Sequence, residues 1–158
     1  MSRRAQVFEV ENRLAKIVSA PGGRTVDQAV KAAETRIEAV REVSLASLVG
    51  KSDQMVQVAA AARRGEQAKP FDAIYDISNA IYGLASSFGL TALSEAAFSL
   101  CDLADGFRTG EEPSWPAIDV HVDGVRLLSM LGAGVSAADA ESILDGLRRV
   151  RARVLPST

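Results

Sequence analysis

The stretch Ile74–Leu90, IYDISNAIYGLASSFGL, decides the reading of this 158-residue chain. From Phe71 onward, apolar residues recur at Phe71, Ile74, Ile77, Ile81, Leu84 and Phe88. That is the spacing of an amphipathic helix. Pro70 suits a first turn, where its missing N–H costs nothing, and Gly89 suits a helix end. A helix is therefore expected over 70–88. Tyr75, Asn79, Tyr82, Gly83 and Ser86 fall at i, i+4, i+7, i+8 and i+11, on one continuous face. That face lies opposite Ile74, Ile77, Ile81 and Phe88 and is expected to point outward. Gly83 stands out, because glycine in a helix interior costs about 1 kcal/mol relative to alanine. Either something must approach the backbone closely there, or a neighbouring helix packs against it. Spacing alone leaves both readings open.

Working outward, helical spacing repeats on both sides. Leu93, Ala96, Ala97, Leu100, Leu103, Ala104 and Phe107 share one face of a helix expected over 91–108. Ile118, Val122, Val125 and Leu128 mark another over 115–131, which Gly132 and Gly134 break. Ser136, with Asp139 three residues on, caps a last helix over 136–154 with Ile143, Leu147, Val150 and Val154 inside. Arg148, Arg149, Arg151 and Arg153 crowd its C-terminal end, where cations complement the helix dipole. The connections are short, so the helices should be antiparallel neighbours. Toward the N-terminus, Thr25 reads as the N-cap of a helix to about Val40, with Val26, Val30, Ala33, Ile37 and Val40 at helical spacing. Val43–Val49 is apolar. Gly50-Lys51-Ser52 is expected to break the chain before a further helix from Ser52 to Arg64. Val7, Val10, Leu14, Ile17 and Val18 form a short amphipathic pattern that stops at Ala20-Pro21-Gly22-Gly23. Neither strand alternation nor a fixed-period repeat occurs. The expected fold class is all-α: an antiparallel up-down four-helix bundle with additional N-terminal helices. The expected organisation is a leader with a short helix over 1–24 and a helical bundle over 25–158.

Composition narrows the function classes. The formal charge is -2 with charges interspersed, so a nucleic-acid partner is not expected. No apolar run approaches the roughly 20 residues that span a bilayer, so no membrane association is expected. The N-terminus lacks the apolar region of a signal peptide. Cys101, the single cysteine, has no internal partner for a disulfide, which fits a reducing, cytoplasmic setting. One histidine and one cysteine do not make a structural zinc site, and no metal or cofactor is expected. Asp72, Asp76, Asp102 and Asp105 read as polar-face residues rather than an acid/base cluster. No lysine-bearing phosphate loop follows Gly132–Gly134. Trp115, between two prolines, reads as a helix-start anchor.

The segment N-A-I-Y-G-L-A-S-S-F-G-L, Asn79 to Leu90, resembles the histidine-phosphotransfer (HPt) domain family. Those domains share H-x-[LI]-[KR]-G-x-x-x-x-F-G-[LY] on the second bundle helix. Ile81, Gly83, Phe88, Gly89 and Leu90 match that pattern. Asn79 stands at the phosphoacceptor histidine and Tyr82 at the lysine or arginine. LSEAAFSLCDLADGF, HVDGVRLL and the leader ENRLAKIVSAPGG are also similar to the family, in its α-proteobacterial form.

The resemblance implies an HPt-like bundle and a two-component phosphorelay setting. The departures imply lost chemistry. Phosphotransfer needs an imidazole nitrogen to attack an aspartyl phosphate, and an asparagine amide is no such nucleophile. Tyr82 brings no charge to neutralise the phosphoryl group. Asn79 is thus expected as a degenerate phosphoacceptor position in a non-enzymatic adaptor. Its face of Tyr75, Asn79, Tyr82, Gly83 and Ser86 is expected to dock the receiver domain of a response regulator, or a histidine kinase. A homodimer is also compatible with the sequence. Two alternatives stand beside this reading. One is an active phosphotransfer protein using His121, which otherwise reads as a partly buried structural histidine. The other is a helical scaffold or oligomerisation module whose interface precedes Pro70.

Overall fold

The computed structural model describes residues 22–155 and Ala15. The amphipathic pattern expected over 7–19 lies outside these, Ala15 aside. Among the described residues there are five α-helices and no strand: α1 Val26–Arg63, α2 Pro70–Ser87, α3 Thr91–Thr109, α4 Trp115–Leu131 and α5 Ala137–Val154. A 3₁₀ turn, Gly132–Gly134, separates α4 from α5. The bounds of α2 to α5 fall within one residue of those expected.

The chain divides into two compact units, Met1–Ala39 and Val40–Thr158. In the first, α1 begins on a reciprocal cap: the Gln28 N–H donates to Thr25 Oγ1 (3.2 Å) and the Thr25 N–H to Gln28 Oε1 (3.1 Å). Val26, Val30 and Ile37 are exposed.

In the second unit the expected break at Gly50-Lys51-Ser52 does not occur. One helix of 38 residues runs through Gly50. An exposed mid-helix glycine costs about 1 kcal/mol, whereas Leu48 and Met55 on either side of it are fully buried, each stabilising by roughly 1.5–3 kcal/mol. Burial wins, and the helix continues. The second half of α1 is therefore part of the core. Leu48, Ser52, Met55 and Ala59 face inward, and Ser52 Oγ hydrogen-bonds Ser129 Oγ of α4 at 2.8 Å. Asp53–Arg126 and Arg63–Asp119 ion pairs flank this seam. Gly50→Ala meets nothing within 4 Å. The substitution is expected to stabilise the unit by about 0.5–1 kcal/mol in urea denaturation.

Helix α3 is the most enclosed. Leu93, Ala96, Ala97, Leu100, Leu103, Ala104 and Phe107 are all buried, the face expected for it, against α2, α4 and α5. Ile118, Val122, Val125 and Leu128 of α4 are buried as expected. Two stripes rotate relative to expectation. In α5 the buried residues are Ala140, Leu144 and Leu147, with Ile143, Val150 and Val154 at the edge. In α2 they are Ile74, Ser78, Ile81 and Ala85. Ser78 is buried because its hydroxyl donates back to the Ile74 carbonyl at 2.5 Å, leaving no unmet polar atom. Trp115 anchors the start of α4, stacked on Phe71 with ring centroids 5.3 Å apart. At the end of α2, Gly89 adopts φ +70°. This lets the Leu90 N–H reach back to the Ala85 carbonyl at 3.0 Å. No helix among the described residues is long and apolar enough to cross a membrane.

Candidate functional site: the outer face of α2

The rotation of the α2 stripe splits the five residues expected on one outward face. Asn79 and Gly83 remain outermost, both exposed at mid-helix. Tyr75, Tyr82 and Ser86 lie toward α3. Tyr75 is half-buried, a correction to its expected outward position. Its ring lies under the Arg108 guanidinium, 4.0 Å from the centroid, and that cation is also held by Asp105 and Asp72. Tyr75 thus closes the α2–α3 seam and offers little surface to a partner. Ser86 is exposed and shares a hydrogen bond with Ser94 of α3 at 2.7 Å.

Tyr82 is 38% exposed and lies against Phe98 of α3, ring centroids 5.5 Å apart. Phe98 is itself 50% exposed. The two rings form an aromatic ledge beside Asn79 and Gly83. Phe98 was not among the residues expected here. Its signal in the sequence is a large apolar side chain lying off the Leu93–Phe107 stripe of α3.

Gly83 distinguishes the two readings its spacing leaves open. A Cβ added there would meet nothing within 4 Å. By contrast, Gly124 and Gly106 sit against Leu147 and Leu155, so that an added Cβ would lie 3.2 and 2.6 Å from those side chains. Those glycines accommodate packing and Gly83 does not. Gly50 of α1 is likewise exposed in mid-helix with nothing within 4 Å of an added Cβ, so both positions leave the helix backbone open from outside.

The charge on this face is also defined. Residues 70–88 contain no lysine or arginine, and Asp76 is exposed next to Asn79. A phosphoryl group placed at Asn79 would meet no cation from α2. Of the four aspartates considered above, Asp72 and Asp105 share Arg108 and Asp102 pairs with Arg151 of α5. They are solvent-edge ion-pair members, spread over two clusters.

His121 is fully buried rather than partly so. Its Nδ1 lies 2.8 Å from the Ala117 carbonyl and its Nε2 3.1 Å from Ser99 Oγ. A carbonyl only accepts, so Nδ1 carries the hydrogen and Nε2 of the neutral ring accepts from Ser99. Burial pushes the imidazole pKa down, only partly offset by the Ala117 hydrogen bond. Both ring nitrogens are occupied and neither reaches solvent. Cys101 is buried, and burial likewise pushes its thiol up. Among the described residues, no group of three or more His, Cys, Asp and Glu side chains is placed to hold a metal ion. No family model, curated protein or solved structure matches this chain.

Proposed function

We propose that this chain is a phosphorelay adaptor of HPt type, an up-down four-helix bundle that binds without transferring a phosphoryl group. Its partner is the receiver domain of a response regulator, or a histidine kinase, and it acts by occupying that partner's surface. The observation that carries this reading is Gly83 beside the Tyr82–Phe98 ledge: mid-helix, exposed and without a packing role among the described residues. A helix keeps such a glycine at a cost of about 1 kcal/mol, which a close-docking partner would explain. The aromatic ledge of Tyr82 and Phe98 supplies the kind of anchor that dominates interface energies. Asn79 and Tyr82, in place of a nucleophile and a cation, support binding over chemistry. The depth of His121 argues against its service as a relocated phosphoacceptor.

The test is titration of the chain against the receiver domains of its source organism by calorimetry. At least one receiver is expected to bind, whether or not a phosphodonor is present. Tyr82→Ala is expected to weaken that complex about tenfold. With little charge on the face, affinity should change little between about 50 and 300 mM salt. Incubation with phosphorylated receivers should leave no acid-labile label on the chain. No binding to any receiver, or label lost in His121→Ala, would overturn the proposal.

A further inference from the structure

Among the described residues, helix α1 carries a second unpartnered surface, unrelated to the α2 face. Val26, Val30, Ala33, Ile37 and Val40 are separated by four, three, four and three residues. Their exposure runs against their chemistry: Val26 is 79% exposed, Val30 50%, Ile37 62% and Val40 57%. Ala33 is exposed as well. An alternation of four and three is a 3.5-residue period, which keeps an apolar seam facing another helix over several turns. Helices in water draw most of their stability from such packing.

The flanking charges say what kind of helix fits. With Val30, Ile37 and Ser44 at positions a, the d positions are Val26, Ala33, Val40 and Ser47. Asp27, Glu34 and Arg41 then fall at e, and Ala29, Arg36 and Val43 at g; e and g side chains set partner and orientation. In a parallel pair of identical helices, Arg36 faces Arg41 of the other copy on both sides, and no opposite charges meet. In an antiparallel pair with Ile37 layered on Val40, Glu34 faces Arg41 in two symmetry-related pairs along one flank, and Arg36 lies beside Val43 along the other. The same register sets Ala33 on Ser44 and Val30 on Ser47. The two bulky Ile37–Val40 layers then lie at the centre, and the layers that contain a serine lie toward the ends, nearer solvent. Neither Glu34 nor Arg41 has an ion-pair partner of its own among the described residues; Arg41 rests over the Phe88 ring, 5.8 Å from its centroid.

We infer that residues 30–47 of α1 form an antiparallel, two-fold symmetric coiled-coil interface with a second copy of this chain, closed by reciprocal Glu34–Arg41 pairs. An isologous contact of this kind makes a closed dimer.

The test is sedimentation equilibrium of the full chain across micromolar to millimolar concentration. A monomer–dimer equilibrium is expected. Ile37→Glu should raise its dissociation constant more than about tenfold, with helical content and thermal transition matching the parent at concentrations where both proteins are monomeric. Glu34→Arg and Arg41→Glu should each weaken the dimer several-fold, and the double variant Glu34→Arg/Arg41→Glu should recover most of the loss. Three outcomes would overturn the inference. A full chain monomeric throughout would leave the seam to the chain's own residues 1–21 or to a foreign helix. A dimer indifferent to Ile37→Glu would place the interface elsewhere. A dimer strengthened by Arg41→Glu would mean parallel helices.

Discussion

Gly83→Arg is expected to abolish docking, weakening a cognate receiver complex by more than about 100-fold, or about 2.7 kcal/mol, while the protein stays folded. The two halves of this expectation come from different physics. Folding gains from the substitution: arginine is among the better helix formers, and replacing an exposed mid-helix glycine is worth about 0.5–1 kcal/mol. Among the described residues an added Cβ meets no atom within 4 Å, and the exposed position leaves a longer side chain free to extend into solvent. Docking loses, because a long cationic side chain then stands one turn from Asn79 and next to Tyr82 of the aromatic ledge, where the partner's backbone approach is proposed. Gly83→Ala is the graded version, expected to stabilise the fold by a similar amount and to weaken docking about tenfold through a single methyl group. Calorimetric titration gives the affinity, and thermal unfolding of the same samples shows that any loss is not misfolding. Variants that are more stable and bind unchanged would return Gly83 to an ordinary surface position.

That reading of Gly83 needed the structure, and the reason is general to this chain. Where the signal is local, the sequence was legible. Pro70 and Gly89 bracket α2. Ser136 caps α5 through its hydroxyl, which accepts the Asp139 N–H at 3.1 Å. The enclosed face of α3 follows from its spacing alone. Where a local cost competes with distant burial, the sequence misleads. Gly50 looks like a break because its cost is visible in the sequence, while the burial of Leu48 and Met55 that outweighs it depends on α1 meeting the rest of the unit.

Polarity misleads in the same way. Ser78 reads as surface and Ile77 as core. A serine that satisfies its hydroxyl on the preceding turn can nevertheless be buried, and the α2 stripe then rotates toward it. That rotation turns Tyr75 inward, where a cation more than thirty residues away covers its ring. The apolar spacing of Val26 to Val40 is plain in the sequence. That these side chains stay exposed is not, because periodicity identifies a face and says nothing of whether the chain holds a partner for it.

The second large effect concerns His121, whose role the structure makes architectural. Its ring is fully enclosed between α3 and α4 and bridges them, from the Ala117 carbonyl on its own helix to the Ser99 hydroxyl. His121→Ala removes a buried ring and leaves Ser99 without that partner, so a loss of about 3 kcal/mol or more is expected in chemical denaturation. The pH dependence identifies the titrating group. Burial holds the folded-state pKa below its ordinary value of 6.5. Above that value the ring is neutral in both states and contributes no slope. As the pH falls below about 6.5, the unfolded chain takes up a proton that the folded chain refuses. Stability then falls with pH until the folded ring also protonates. The slope from this one group stays under about 1.4 kcal/mol per pH unit. His121→Gln keeps hydrogen-bonding capacity without a titrating ring. Its unfolding free energy, measured in urea at intervals from about pH 8 to pH 5, is expected to be lower than that of the parent at the alkaline end. The difference should narrow as the pH drops, because only the parent loses this term. Curves for the two proteins that run parallel over that range would mean that His121 does not resist protonation in the folded state.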